Sequence, residues 1–183
     1  MNSVIEKSKF LSLVLRHAPE KIGLSLDGAG WAQVDVLLER ANANGVALNR
    51  ESLSQIVASS DKQRFVFSDD RERIRANQGH SVEIDLGLPP QEPPNQLFHG
   101  TAFRFLELIR SNGLQPMERQ HVHLSPDEQT AESVGRRHGK PCVLLVNAKA
   151  MHLSGQLFFL SNNGVWLTAA VPPEFIGFPR DGV

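Results

Sequence analysis

Nine residues near the middle of the chain, GLPPQEPPN from Gly87 to Asn95, hold four prolines and a single charge. Proline has no backbone N–H and a fixed φ, so this stretch can form neither a helix nor a central strand. It reads as a semi-rigid linker between halves that must each bury a core of their own. The expected layout of the 183 residues is one lobe over 1–86, a linker over 87–95 and a second lobe over 96–183. No internal repeat competes with this division.

Residue content narrows the class. With 40% hydrophobic and 21% charged residues the chain is globular. Its net charge of −1 supplies no global field toward nucleic acid, so any such contact must use a local cluster of Arg and Lys. The single cysteine, Cys142, excludes an internal disulfide and sits in the apolar run CVLLV as a buried strand residue. That usage points to a reducing, cytoplasmic setting. The opening MNSVIEKSKF is charged, and nowhere do about 18 apolar residues run together, so neither a signal peptide nor a membrane span is expected.

In the first half, Phe10, Leu11, Val14 and Leu15 recur at helical spacing, which predicts a helix over 4–17 with Ser3 as N-cap and a stop before Pro19. Arg16 and His17 close that helix, where cations also suit the negative end of the dipole. Trp31–Ala43 predicts a second helix ending at Asn44-Gly45, and Asn49 caps a third, RESLSQIVAS. RFVFSDDRERIRA alternates, turns at Ser68–Asp70 and alternates again, a hairpin signature. Helix, turn, helix and a two-stranded wing make a winged-helix-like lobe, a shape that often touches nucleic-acid backbones and in other cases binds protein. Lys62, Arg64, Arg71, Arg73 and Arg75 alternate with Asp61, Asp69, Asp70 and Glu72, which reads as a solvated hairpin rim.

The second half predicts a strand over Gln96–Thr101, a helix in FRFLELIRSNG and a strand over His121–Ser125. A second helix follows, with Ser125 as N-cap, Pro126 at N1 and Glu128 at N3. It runs to Gly139 and delivers Arg136, Arg137 and His138 at its end. CVLLV, QLFFL, GVWLT and EFIGF supply short strands, so this lobe is strand-rich with two helices and the fold class is α+β. His99, His121 and His123 stand at strand ends without metal-ligand spacing, and no zinc site is expected. The absence of GxGxxG argues against a Rossmann dinucleotide site.

Six motifs in order, LRHAP, IRANQGHS, FHGT, HVHLS, VGRRHGKP and NGVWLT, resemble the signature set of the RNA 2'-phosphotransferases, also called tRNA 2'-phosphotransferases. The resemblance runs from about Lys7 to Phe178. It implies an N-terminal winged-helix RNA lobe and a C-terminal lobe of ADP-ribosyltransferase-like fold. It implies an enzyme that consumes NAD as a co-substrate, without a metal, and needs neither a membrane nor an obligate protein partner. The substrate is RNA bearing an internal 2'-phosphate, with tRNA as one candidate. Nicotinamide and ADP-ribose 1'',2''-cyclic phosphate leave, by way of RNA carrying 2'-phospho-ADP-ribose.

The same resemblance implies a catalytic set of Arg16, His17, Arg75 and Arg137 around one phosphate, in the cleft between the lobes. The choice of Arg137 over Arg136 rests on its place directly before His138-Gly139. On the NAD side it implies His99 against the adenosine ribose and the backbone of Gly100 against the nicotinamide amide, with Thr101 beside them. Glycine there would permit close approach of the ligand. His123 would pack against nicotinamide and Ser125 would offer a polar contact. Val165 stands where relatives that make poly(ADP-ribose) carry glutamate.

The chemistry suits these residue types. A 2'-phosphate is already an anionic nucleophile, so no carboxylate base is required, and planar guanidinium forks bind phosphoryl oxygens bidentately. Two other readings stay open: an ADP-ribosyltransferase acting on protein or nucleic-acid ends, and a winged-helix nucleic-acid-binding regulator. The second leaves HGT, HVHLS and the arginine pair without a task.

Overall fold

The computed structural model describes residues 3–60 and 62–179; Asp61 of the charge run lies outside them. The chain is α+β and divides between Gly87 and Leu88 into two compact units. No helix among the described residues is long and apolar enough to cross a membrane.

The first unit opens with α1, Val4–Arg16. Ser3 caps it through a reciprocal capping box with Glu6, which satisfies two otherwise orphaned N–H groups. A 3₁₀ turn over Pro19–Ile22 follows, ended by Gly23 at φ +63°. Next come β1 (Ala32–Gln33), α2 (Val34–Ala43), α3 (Arg50–Ala58), β2 (Phe65–Phe67) and β3 (Arg73–Ala76). Asn49 caps α3, exchanging hydrogen bonds with Ser52. The three strands form an antiparallel sheet in the order β1-β3-β2, with Ile74 opposite both Ala32 and Phe67.

The start of α2 corrects the expectation of a helix from Trp31. Ala32 and Gln33 pair with β3 instead, a tertiary contact that the apolar phase of the sequence does not reveal. Leu11, Val14, Leu15, Leu37, Leu53 and Ile74 meet in one core and are fully buried.

The hairpin is less solvated than its charge pattern suggests. Arg50 of α3 holds both Asp35 and Glu72, and Arg73 pairs with Asp27. Arg71 lies over Phe67, while Arg73 and Arg75 lie over Trp31, so these side chains pack as well as carry charge.

The second unit holds β4 (Leu97–Ala102), α4 (Leu106–Asn112), β5 (Val122–Leu124), α5 (Glu128–Gly135) and β6 (Pro141–Val146). After these come α6 (Ala148–Leu153), β7 (Phe159–Leu160), β8 (Trp166–Thr168) and β9 (Ile176–Gly177). Two antiparallel sheets result, β4-β6-β9 and β5-β8-β7. Among the described residues a bridge joins them, Phe98 and Ser125 exchanging backbone N–H to O=C bonds of 2.9 and 2.8 Å. The proline-rich stretch lies along this unit: Pro90 bridges to Phe159, and the Gln91 N–H donates to the Phe158 carbonyl. Phe158, Leu97, Leu124, Leu144 and Met151 are fully buried in its core.

Two local expectations change here. Ser125 is not the N-cap of α5; both its backbone groups serve the bridge to Phe98, and Asp127 caps the helix by accepting from the Thr130 N–H. The lobe also has a third helix, α6, which the run AKAMHL is too short to announce by period alone. Cys142 is buried, and burial pushes its thiol pKa up, consistent with an inert packing role.

Candidate functional site

In the first unit the candidate residues gather at the C-terminal end of α1. His17 is the C-cap of that helix, and the Arg16 carbonyl accepts from the N–H groups of Ser81 and Val82. The loop after β3 therefore supplies donors for an orphaned helix-end carbonyl, which explains why α1 stops where it does. The Arg16 guanidinium donates to the Arg64 carbonyl at 3.3 Å and lies 5.8 Å from the Phe65 ring centre. Gly79, at φ +87°, lies against the same guanidinium. His17 Nδ1 is 3.0 Å from the Ser81 hydroxyl.

Arg75 reaches this neighbourhood from β3. Its Nη1 donates to the Ala29 carbonyl, its guanidinium lies 4.5 Å from the Trp31 ring centre, and its Nε is buried without a hydrogen-bond partner. Burial lowers its pKa, opposed by the charge of Asp27.

At the centre stands His80, only 2% exposed, its Nε2 unpartnered beside Gly30. Burial first, and then the charges of Arg16, His17 and Arg75, push its pKa down to about 4. Gly79 and Ser81, the residues on either side of His80, lie against Arg16 and His17, and His80 itself lies beside Gly30, next in the chain to the Ala29 that holds Arg75, so the three cations occupy a single neighbourhood. His80 was not singled out from sequence, although IRANQGHS contains it.

In the second unit, β4 and β5 bring His99 and His123 together. His99 Nδ1 donates to the His123 carbonyl at 3.1 Å, which fixes its tautomer and leaves Nε2 as the acceptor. Desolvation is the leading cause of its lowered pKa, with the charges of His138 and Arg119 adding to it and the bond to His123 opposing.

Arg119, in the loop before β5, was also overlooked. Its Nη1 donates to His123 Nδ1 at 3.3 Å, and its pKa is lowered by burial and then by the charge of Arg137. The three arginines thus differ in setting: Arg136 is held by Glu132 at 2.7 Å, Arg137 is exposed and close enough to act on Arg119, and Arg119 is partly desolvated against His123. A cation in the short loop MERQHVHLS, directly before a histidine-bearing strand, is the signal that was available.

Gly100 has a packing reason for being glycine. A Cβ there would lie 1.7 Å from the Ala131 carbonyl of α5, and a Cβ on Gly135 would lie 2.6 Å from the Thr101 carbonyl. The pair lets α5 pack directly on β4. Thr101 is buried beneath it. Val165 leads into β8 and is partly exposed, its N–H donating to the buried Ser161 hydroxyl. His121 stands apart, edge-on to Phe159.

Comparison with known proteins accounts for the order of these motifs. The family model described as RNA 2'-phosphotransferase, Tpt1 / KptA family matches residues 2–170. A protein of Agrobacterium fabrum is 60% identical over 174 residues, 95% of this chain and 94% of its own length. Relatives from Hahella chejuensis, 55% identical over 93% of this chain and 91% of their own, and Streptomyces griseus, 52% identical over 94% and 95%, are similar in extent. Each of the three carries the name "Probable RNA 2'-phosphotransferase". The cations about His80 and the histidine pair of β4 and β5 lie within the matched residues, and the chain belongs to the RNA 2'-phosphotransferase family.

Proposed function

We propose that this chain is an NAD-dependent RNA 2'-phosphotransferase that removes an internal 2'-phosphate from RNA, tRNA among its substrates, in a reducing cytoplasmic setting and without a metal. The observation that carries the reading is the grouping of Arg16, His17 and Arg75 around the buried His80. A dianionic phosphate is the ligand chemistry that such a cluster suits. The first unit acts as a winged-helix-like RNA lobe and the second as an ADP-ribosyltransferase-like NAD lobe.

NAD supplies an electrophilic ribose carbon bearing a good leaving group. A 2'-phosphate oxygen bonds to that carbon as its bond to nicotinamide breaks. The adjacent ribose hydroxyl then bonds to phosphorus, the bond from phosphorus to the RNA 2'-oxygen breaks, and that oxygen takes up a proton. Arg16 and Arg75 hold phosphoryl oxygens, and their anchoring to the Arg64 and Ala29 carbonyls keeps the forks preorganised. His17, steadied by Ser81, moves the proton.

The donor set of the second unit fits NAD. His99 presents a lone pair at Nε2 for a ribose hydroxyl, His123 offers a ring beside it, and Arg119 with Arg137 supplies positive charge for the pyrophosphate or the transferred phosphate. Val165 at the entry to β8 brings no carboxylate, in keeping with a nucleophile that needs no base. Ser125 takes part through its backbone position at the junction of the two sheets, and Gly100 and Thr101 hold β4 against α5.

Incubation of a 2'-phosphorylated oligoribonucleotide with the protein, with and without NAD in excess chelator, tests the reading. Dephosphorylation that requires NAD and survives the chelator is expected. Phosphate release without NAD, or activity restored only by zinc, contradicts it.

A further inference from the structure

The turn that leads into β1 is built by one carboxylate. Asp27 Oδ1 accepts from the N–H groups of both Ala29 and Trp31, each at 2.9 Å. The main chain closes the same loop twice more, the Gly30 N–H donating to the Asp27 carbonyl and the Asp27 N–H to the Trp31 carbonyl. Gly30 takes φ +79°, a conformation that glycine adopts without strain. Aspartate followed by glycines at 28 and 30 is the composition that a turn capped by its own side chain favours.

Both groups that hold Arg75 come from this turn. Its guanidinium donates to the Ala29 carbonyl at 3.3 Å and lies 4.5 Å from the centre of the Trp31 ring. Ala29 and Trp31 are also the two residues whose N–H groups Asp27 Oδ1 fixes. The register of β1 on β3, with Ala32 opposite Ile74, brings Trp31 level with Arg75 when it is continued by one residue.

As an ion, Asp27 pairs with Arg73, at 3.7 Å through Oδ2, so Arg75 is anchored by neutral groups, a carbonyl and a ring. A carboxylate partner would compete with a phosphate for the guanidinium fork, and neutral anchors do not. The pair with Arg73 joins side chains 42 and 48% exposed, where solvent screens it, so the carboxylate acts chiefly through the turn.

We propose that Asp27 is a positioning residue for Arg75, its carboxylate fixing the 27–31 turn so that the Ala29 carbonyl and the Trp31 ring aim the guanidinium at the phosphate. The proposal rests on the RNA 2'-phosphotransferase reading and adds to it a residue that acts only through another.

A double-mutant cycle on the full chain tests it, with turnover of a 2'-phosphorylated oligoribonucleotide and NAD followed in quenched time courses. Misplacing a group without removing it costs up to about a hundredfold, so Asp27→Ala should lower kcat by about ten- to a hundredfold, with KM for NAD nearly unchanged and RNA carrying 2'-phospho-ADP-ribose accumulating. In an Arg75→Ala background the same change should cost less than about twofold. Asp27→Asn, freshly prepared and with its mass verified, keeps the acceptor and should stay within about threefold of the wild-type chain, whereas Asp27→Glu keeps the charge, displaces the oxygen and should lose about tenfold. Should Asp27→Ala fail to fold, the order of the Asn and Glu variants decides alone. Equal losses in both backgrounds, or Asp27→Glu more active than Asp27→Asn, overturns the proposal and leaves the reading of function intact. Absence of NAD-dependent turnover by the wild-type chain would instead defeat the reading on which the proposal rests.

Discussion

His80 makes the first unit sensitive to mild acid by an amount that can be worked out. Its ring is buried among Arg16, His17 and Arg75, which lowers its pKa from 6.5 to about 4, with burial the leading cause. Above pH 6.5 the ring is neutral in both folded and unfolded chains and contributes no pH dependence. As the pH falls below 6.5 the unfolded chain takes up a proton that the folded chain refuses until about pH 4, so stability present above 6.5 is lost across that window. At about 1.4 kcal/mol per pKa unit, the full loss is about 3 kcal/mol. His80→Gln keeps a polar planar side chain that does not titrate. Urea unfolding of both proteins, monitored by the tryptophan signal at steps between roughly pH 7.5 and 4, isolates the histidine because the carboxylates titrate equally in both. The wild-type chain should lose about 3 kcal/mol more than the variant over the window. Parallel stability curves would refute the reasoning, since they would mean that His80 is not held neutral by its surroundings.

Loss of a preorganised donor typically costs about a hundred- to a thousandfold in rate, so Arg75→Ala and Arg119→Ala should stall the second chemical step, and RNA carrying 2'-phospho-ADP-ribose should accumulate in quenched time courses. Arg137→Ala should stall it to a lesser degree because that side chain is exposed, and Arg136→Ala, removing a partner of Glu132, should do little. Ser81→Ala removes the 3.0 Å contact to His17 and should lower kcat and shift its pH profile with KM nearly unchanged, while Ser81→Thr restores both. Gly100→Val should destabilise the whole second unit, by about 3 kcal/mol or more, because its side chain meets the Ala131 carbonyl; thermal unfolding reads this, and a stable variant with only weakened NAD binding would contradict the packing role.

Much of this architecture is legible in the residues because local signals and tertiary structure agree. Ser3 and Asn49 cap helices as their side chains permit, and alternation in RFVFSDDRERIRA becomes β2 and β3. The failures occur where a distant partner decides. Ala32 and Gln33 fit the phase of α2 yet are claimed by β3, and Ser125 looks like a cap until Phe98 takes its backbone. The same holds for the site. The candidates Arg16, His17, Arg75, His99 and His123 stand in motifs that mark them, whereas His80, Ser81 and Arg119 are drawn beside them only by the fold. Burial around His80 and the contact from Arg119 to His123 join residues that no periodicity connects. Gly100 shows a further need that the motif does not announce, since α5 packs so closely on β4 that a Cβ there would meet the Ala131 carbonyl.

The central claim is that the phosphate leaves RNA by transfer to the ribose of NAD rather than by hydrolysis. Following the phosphorus itself is the most direct test: an oligoribonucleotide labelled with ³²P at its internal 2'-phosphate is incubated with the protein and NAD, and the labelled products are separated. The account predicts that the label moves into ADP-ribose 1'',2''-cyclic phosphate, with one nicotinamide released for each phosphate removed. Label recovered as inorganic phosphate, or retained on RNA while ADP-ribose attaches to protein, would contradict it.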